Sequence, residues 1–295
     1  MKLGVIGGSG VYDIDGLEKA EWRQVESPWG QTSDEMLFGR LQGVEVVFLP
    51  RHGRGHTYSP SGINYRANID ALKRSGVTDI LSVSACGSFR EALAPGTFVI
   101  VDQFIDRTFA REKSFFGNGL VAHVSMAKPV CGRLGDMLEK GAAEIGIPYT
   151  RGGTYLAMEG PQFSSLAESN MYRAWDCDVI GMTNMPEAKL AREAEICFAT
   201  VAMVTDYDCW HPHHDDVDVA SVIAVLQRNA AHAGDLVKQV VGQIARGAVH
   251  DSACSHGCDR ALEMALMTAP EKRDAALLAK LDAVAGRVLK GQKSD

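Results

Sequence analysis

Short runs of apolar and β-branched residues alternate along the chain with segments of helical periodicity. Six runs have this character, and they read K-L-G-V-I-G, V-E-V-V-F-L-P, D-I-L-S-V-S-A, F-V-I-V-D, D-V-I-G-M and F-A-T-V-A-M-V-T. Each has the length and composition of a strand that is buried on both faces of a sheet. Their alternation with helical segments predicts an α/β fold around a largely buried sheet.

Two segments repeat apolar residues at the spacing of one helix face. The first runs over residues 64–74, and Gly76 stands just beyond it as a stop signal. The second runs over residues 219–246, between Asp218 as an N-cap and Gly247 as a C′ glycine. Both segments therefore read as helices with recognisable ends.

The chain has 295 residues, of which 46% are hydrophobic, so it can bury a sizeable core. No linker or repeat divides it, and we predict one domain over residues 1–250 with a C-terminal helical extension over 251–295. The stretch A-L-L-A-K-L-D-A-V-A-G-R-V-L in that extension predicts a surface or subunit-contact helix. No signal peptide and no run of about 18 apolar residues is present, so we expect a cytoplasmic protein without a membrane partner.

Charge excludes one class of partner. The formal net charge is −7, whereas non-specific binding of nucleic acid needs a surplus of Lys and Arg on one face. No nucleic-acid partner is therefore expected. An anionic ligand must instead be held by a local cluster of donors.

The seven cysteines are an odd number spread through mostly apolar context. In a cytoplasmic protein they are predicted to be reduced core thiols. Only C-S-H-G-C, from Cys254 to Cys258, brings two of them close in sequence. Its spacing of three intervening residues fits no common zinc pattern and there is no second pair, so a metal or redox role for this pair is the minor alternative.

Donor-rich turns follow three of the predicted strands. The donors are backbone N–H groups and Ser9 in G-V-I-G-G-S-G, then Arg51, His52, Arg54 and His56 in L-P-R-H-G-R-G-H, and Ser84, the Ala85 N–H and Ser88 in S-V-S-A-C-G-S. Any one of these turns alone also fits an ordinary solvated turn. Because ligands of α/β sheets bind where strands end, the three turns together predict one composite anion pocket.

An acidic and histidine-rich stretch follows the last predicted strand. It reads V-T-D-Y-D-C-W-H-P-H-H-D-D and places Asp206 and Asp208 at a further strand end. Phe163 and Met182 lie in two other loops and offer flat or polarisable surfaces suited to a ring or a sugar. Proton transfer, metal binding and a mobile polar lid over the pocket are the three readings of the stretch.

Seven ordered motifs between about residues 3 and 245 resemble the trimeric purine nucleoside phosphorylase family. They are V-I-G-G-S-G, R-H-G-R-G-H, A-C-G-S-F-R-E, D-Q-F-I-D-R-T, E-G-P-Q-F-S-S, M-T-N-M-P-E and T-D-Y-D-C-W. The resemblance implies a homotrimer whose subunits have a central, mixed, partly barrel-like sheet flanked by helices. It also implies that phosphate displaces adenine from 5′-methylthioadenosine in purine and methionine salvage. Phosphate is then a co-substrate, and no cofactor and no metal are expected.

The resemblance assigns roles at the matching positions. It implies a phosphate site of Ser9, Arg51, His52, Ser84, Ala85 and Thr183. It implies contacts to base and ribose from Phe163, Ser164 and Met182. It implies a methylthio pocket of Val219, Val222 and Ile223 with His123, the last from a neighbouring subunit. Beyond about residue 247 no family motif can be matched.

Asp206 and Asp208 are predicted to be the catalytic pair. Adenine leaves poorly as an anion, so the reaction benefits when N7 is protonated as the bond to the sugar breaks. A carboxyl group can supply that proton if burial or a neighbouring carboxylate raises its pKa. The 6-oxopurine branch of the family has Asn in place of Asp206 and Glu in place of Ser164, which together predict a preference for 6-aminopurines.

Other functions compete with this reading. A 5′-methylthioinosine or 6-oxopurine nucleoside phosphorylase is the nearest alternative. A nucleoside hydrolase is more distant, since it does not need Arg51 and His52 as a phosphate clamp. A nucleotide-binding regulatory module would give Asp206 and Asp208 no role. A metal enzyme would use His211, His213 and His214 as ligands.

Overall fold

A computed structural model describes residues 1–8, 10–212, 219–247 and 254–290, with the backbone alone for residues 219–224. The strands are β1 Leu3–Gly7, β2 Glu18–Arg23, β3 Met36–Leu41, β4 Val44–Pro50, β5 Asp79–Ser88, β6 Phe98–Ile100, β7 Gln103–Asp106, β8 Tyr149–Arg151, β9 Thr154–Ala157, β10 Val179–Gly181 and β11 Cys197–Asp206. The helices are α1 Tyr65–Arg74, α2 Gly132–Glu144, α3 Leu166–Ala174, α4 Glu187–Glu193, α5 Val219–Ala245, α6 Ala275–Lys280 and α7 Gly286–Lys290. All six predicted strands are confirmed, as β1, β4, β5, β6, β10 and β11.

The mixed sheet divides at the long strand β5. Strand β11 runs parallel to β5 along its length, and β6 and β8 continue beyond β11. On the other edge of β5, parallel β1 pairs with the first half and antiparallel β10 with the last residues. Two series of strands, β1-β4-β3-β2 and β10-β9-β7, therefore both begin at the same edge of β5. This confirms the expected mixed, partly barrel-like sheet with helices packed around it.

Helix α1 has the ends that the sequence predicts. The Asn64 side chain accepts a hydrogen bond from the Ala67 N–H and caps the helix. Ile69 and Leu72 are fully buried on its inner face. Gly76, at φ +78°, adopts the left-handed conformation that often ends a helix. Glycine adopts this conformation with little strain because it has no side chain.

Helix α5 confirms the second predicted helix. Its second half buries Leu236, Val237, Val240 and Val241, and the helix packs against α2 and β11. The predicted N-cap Asp218 lies outside the described residues. In the described part of the chain, no helix is both long and apolar enough to cross a bilayer. The cytoplasmic location stays a prediction.

The C-terminal tail differs from its prediction. The stretch expected to form a surface helix forms the two short helices α6 and α7. Between them, Leu281, Val284 and Ala285 are buried in the same core cluster as Leu72. The prediction of one continuous surface helix was wrong because these apolar residues fill the core where the chain turns. A contact of this tail with another subunit stays a prediction.

Candidate active site

A cavity of about 310 Å³ lies where β1, β4, β10 and β11 end beside the second half of β5. Its volume falls in the range of about 300–1,000 Å³ that is usual for small-molecule sites. Most of the predicted site residues line it, namely Arg51, His52, Ser84, Ala85, Phe163, Met182, Thr183, Asp206 and Asp208. The turn after β4, the end of β5 and the acidic stretch at the end of β11 therefore meet at this cavity.

Six predicted site residues are not among the described residues of the cavity wall. Ser9 and the side chains of Val219, Val222 and Ile223 lie outside what the structure describes. The backbone of the last three forms the first turns of α5, and Leu226 and Ala230 farther along that helix line the cavity. His123 is exposed and belongs to another part of the surface. Ser164 does not line the cavity, but its hydroxyl reaches the carboxylate of Asp208, which does.

A β-bulge positions the first acidic residue. Val204 pairs with Cys86, but the next residue of β5, Gly87, pairs with Asp206, so Thr205 is the extra residue. In a regular strand, consecutive side chains point to opposite faces. Because of the bulge, both Thr205 and Asp206 line the cavity, which is the re-aiming that bulges provide next to functional sites.

Burial raises the pKa of both aspartates above its usual value. Asp206 accepts hydrogen bonds from the Thr205 hydroxyl at 2.7 Å and from the Asp208 backbone N–H at 2.8 Å. These bonds favour the ionised form, but loss of hydration outweighs them. For Asp208, the negative charge of Asp206 raises the pKa further. Two neighbouring carboxyl groups in a buried pocket are suited to hold a proton for transfer.

Gly87 makes room for this pair. A Cβ atom at position 87 would lie 2.8 Å from Asp206 Oδ1 and 3.3 Å from the Asp208 backbone nitrogen. Any other residue would therefore push the Asp206 carboxylate aside. This role of Gly87 was not predicted from the sequence, although the motif A-C-G-S contains the glycine.

Arg51 sits beneath the anion side of the cavity in a buried network. Its side chain is 2% exposed, and its Nε and Nη2 donate to the two carboxylate oxygens of Glu187. Nη2 also donates to the Ser82 hydroxyl and Nη1 to the Val83 carbonyl. Among the described residues, only one Nη1 hydrogen is left without an acceptor. Two N–H groups of Arg51, which was expected to clamp phosphate, are therefore taken by the two carboxylate oxygens of Glu187.

The same network orients a neutral donor. Asn184, fully buried, accepts from the Ser82 and Thr200 hydroxyls and donates from Nδ2 to Ser84 Oγ at 3.1 Å. Since Ser84 Oγ accepts from Asn184, its own proton is available to an anion in the cavity. Thr183 adds a second buried hydroxyl to the wall. Asn184 and Glu187 were missed as separate residues, although both lie in the quoted motif M-T-N-M-P-E.

His52 lines the cavity as a neutral ring. Its Nδ1 lies 2.9 Å from the Tyr58 carbonyl oxygen, which can only accept, so Nδ1 carries the proton. Burial lowers the pKa of His52 to about 4. Nε2 therefore becomes a donor to an oxyanion only when the ring takes up a second proton, and a bound anion favours that uptake.

Two predicted donors face elsewhere. Arg54 forms ion pairs with Asp34 and Glu35 at the surface. The Ser88 hydroxyl is buried in a local turn, where it donates to the Arg90 carbonyl. Both were expected in the anion pocket. Arg54 instead pairs with two surface carboxylates, and Ser88 instead donates to a backbone carbonyl. His56 does reach the cavity and stacks on His52 with 4.2 Å between ring centroids.

The remaining wall is apolar. Phe163 is 46% exposed at the cavity mouth, and Met182 and Ile180 lie with it along the wall. A flat ring can pack on these surfaces. Leu226 could have been found from the periodicity of α5, since it follows Val222 and Ile223 on the same face.

The histidine-rich part of the acidic stretch is only partly described. His211 is buried, stacks on Tyr207 with ring centroids 4.7 Å apart and lies 3.2 Å from Glu91 Oε1. It does not line the cavity. His213 and His214, and with them the end of the stretch that was interpreted as a possible lid, lie outside the described residues.

Comparison with known proteins identifies the family. A family model described as the phosphorylase superfamily matches residues 2–242. The S-methyl-5′-thioadenosine phosphorylases of Cereibacter sphaeroides and Rhodospirillum rubrum are 68% and 65% identical and cover 98% and 97% of this chain and 99% and 97% of their own.

Solved structures agree. A methylthioadenosine phosphorylase from an antarctic soil metagenomic library has a TM-score of 0.88 at 46% identity, covering 96% of this chain and 98% of its own. Methylthioadenosine phosphorylase from Schistosoma mansoni in complex with adenine has a TM-score of 0.84 at 35% identity, covering 93% and 99%. The chain belongs to the S-methyl-5′-thioadenosine phosphorylase family of the phosphorylase superfamily.

Proposed function

We propose that the protein catalyses the phosphorolysis of 5′-methylthioadenosine to adenine and 5-methylthioribose 1-phosphate. One observation carries the proposal: a pair of buried carboxyl groups with raised pKa values shares a cavity with a set of anion donors. The acids suit a departing base and the donors suit an incoming oxyanion. High identity over nearly full length to phosphorylases named for this substrate supports the same reaction.

The geometry suggests a division of labour. Ser84, Thr183, the free Nη1 hydrogen of Arg51 and the His52 ring hold inorganic phosphate under the sugar. Asp206 donates a proton to N7 as the bond from C1′ to the base breaks. Phosphate then captures the cationic sugar, whose charge it also stabilises. The reaction needs no covalent enzyme intermediate, and we assign no catalytic metal or cofactor.

Asp208 is proposed to recognise the base. Ionised Asp208 accepts a hydrogen bond from the 6-amino group of adenine, while the Ser164 hydroxyl hydrogen-bonds to its carboxylate. Ser164 thus acts through Asp208 in this proposal. The stacking surface for the purine comes from Phe163 and Met182. The products are starting materials for recovering purine base and methionine.

Leu226 and Ala230 support an apolar end to the cavity. Val219, Val222 and Ile223 come one and two turns earlier in the sequence of α5, and the family resemblance assigns them to the methylthio group. A 5′-hydroxyl at this place would be left without a partner. The proposed preference is therefore for methylthio over hydroxyl nucleosides.

The homotrimer is also proposed. His123 hydrogen-bonds through its backbone N–H to the Ala265 carbonyl, and the adjoining Met264 and Met267 are 93% and 64% exposed. Exposed large apolar side chains at one place are typical of subunit contacts. Burial of this surface against a neighbouring subunit would carry His123 toward that subunit's methylthio pocket.

Phosphate dependence tests the proposed reaction against hydrolysis. Adenine release from 5′-methylthioadenosine should rise at least about 100-fold when phosphate is added to phosphate-free enzyme, since the nucleophile is otherwise missing. The products are followed by chromatography, and the sugar should appear as the 1-phosphate. Equal adenine release without phosphate, with free methylthioribose, would point to the hydrolase instead.

A further inference from the structure

Four cysteines from three separate segments of the chain meet in the core. Cys131 is the N-cap of α2, Cys197 is the first residue of β11, and Cys254 and Cys258 flank the turn S-H-G. All four side chains are buried, and their Sγ atoms all lie within 4.8 Å of one another. The group lies apart from the cavity, whose lining contains none of the four.

The spacing of the sulfur atoms fits one tetrahedral ion. Zinc bound by four thiolates at about 2.3 Å separates neighbouring sulfurs by about 3.8 Å. Cys131 Sγ and Cys254 Sγ lie 3.8 Å apart. A disulfide would instead need about 2.05 Å, and all four residues are free cysteines. Four sulfurs this close surround a single thiophilic ion with tetrahedral preference, for which zinc is the usual choice.

The backbone turn between Cys254 and Cys258 positions their side chains as ligands. The Gly257 N–H donates to the Cys254 carbonyl at 2.8 Å, and Gly257 has φ +68°, so a tight turn directs both cysteines inward. Their separation by three residues lies within the two to four that zinc sites use. From sequence, a metal role for this pair was the minor alternative, because the spacing was wrongly taken to fit no common zinc pattern and no second pair was found. The second pair, Cys131 and Cys197, is separated by 66 positions and only the fold unites it with the first.

One cationic side chain and one helix end lie beside the cluster. The Arg133 guanidinium lies within hydrogen-bonding reach of Cys197 and also pairs with Asp79. The positive end of α2 adds partial charge at Cys131. A zinc ion with four thiolates carries a net charge of about −2, and these groups offset part of it. Packing of neutral thiols alone would gain nothing from them.

We propose that Cys131, Cys197, Cys254 and Cys258 bind one structural zinc ion that fastens the C-terminal segment to α2 and β11. The segment from Cys254 onward supplies core residues such as Leu262 and Leu281. It also forms the bridge between Leu266 and Ala122, next to His123. The ion therefore stabilises the part of the protein that no catalytic motif reaches, and the proposal does not depend on the substrate.

Metal analysis of the wild-type enzyme is the primary test. Protein purified without a histidine tag, under reducing conditions and with no added metal, should contain about one zinc per chain. An organomercurial that caps thiolates should release this zinc. Little or no zinc, four alkylatable thiols or disulfides among these cysteines, or iron in place of zinc, would overturn the proposal.

Matched variants locate the ion. Cys258→Ser should lose the zinc and lower the Tm by at least about 5 °C. Cys177→Ser is the control, because Cys177 is equally buried but belongs to a different core cluster, and it should keep its zinc. Retention of zinc by Cys258→Ser would contradict the assignment.

A spectroscopic test covers the case in which Cys258→Ser does not fold. Wild-type protein in which cobalt has replaced zinc should show the intense visible bands and the thiolate charge-transfer absorption of tetrahedral cobalt. Cobalt bound with the weak spectrum of an oxygen-rich octahedral site would contradict the cysteine ligands.

Discussion

We expect 5′-methylthioadenosine to be cleaved about 10⁴-fold more efficiently than 5′-methylthioinosine, because buried groups in the wrong hydrogen-bonding pattern are left unpaired. Asp208 faces the cavity and is 6% exposed. When ionised it accepts from the amino group of adenine, but it repels the carbonyl oxygen that hypoxanthine has at the same place. The N1 proton of hypoxanthine also lacks a carboxylate acceptor, since Ser164 stands where 6-oxopurine enzymes have Glu.

The measurement is kcat/KM for the two nucleosides at saturating phosphate. Adenosine serves as the control, because it shares the base with the first and changes only the 5′ group. Comparable efficiencies with 5′-methylthioadenosine and 5′-methylthioinosine would contradict the role of Asp208 in base recognition.

The second large effect is expected from Asp206→Asn. This variant removes the proton donor while keeping the size of the side chain, and general acid catalysis of this kind contributes about 10²–10⁴-fold. We expect a loss of about 10³-fold in kcat with 5′-methylthioadenosine and a much smaller loss with 5′-methylthioinosine. Equal losses for both substrates would indicate that Asp206 only shapes the pocket.

The pH profile distinguishes an acid from a structural group. Burial raises the pKa of Asp206, and only the protonated form donates, so the wild-type rate should fall as pH rises through that raised pKa. This alkaline limb should be absent from Asp206→Asn. Gly87→Ala is the companion variant, since its new methyl group would crowd Asp206 Oδ1 without removing the carboxyl group. It should lower kcat and keep the limb.

Much of this site follows from sequence, because it is built from strand ends. Arg51, Ser84 and Asp206 each come directly after or late in an apolar run, and parallel strands bring such positions to one edge. The fold class and the helices α1 and α5 could also be predicted, because their apolar residues repeat with the spacing of buried strands and of one helix face. The family resemblance then supplied roles for positions such as Thr183 that no local pattern marks.

Long-range pairings could not be predicted from one sequence. Glu187 is separated from Arg51 by 136 positions, and nothing local indicates that this carboxylate occupies the guanidinium. The bulge at Thr205 depends on register against β5, which a strand pattern does not reveal. Cys131 and Cys197 looked like isolated core thiols, because their proximity to Cys254 exists only in the folded chain.

A crystal structure of the enzyme with 5′-methylthioadenosine and sulfate in place of phosphate tests the central claim most directly. We predict that the Asp206 carboxyl group lies within about 3.2 Å of N7 of the purine. Sulfate should lie beneath C1′, against the hydroxyls of Ser84 and Thr183. A purine whose N7 faces another group, with the Asp206 side chain turned away from the base, would contradict the account.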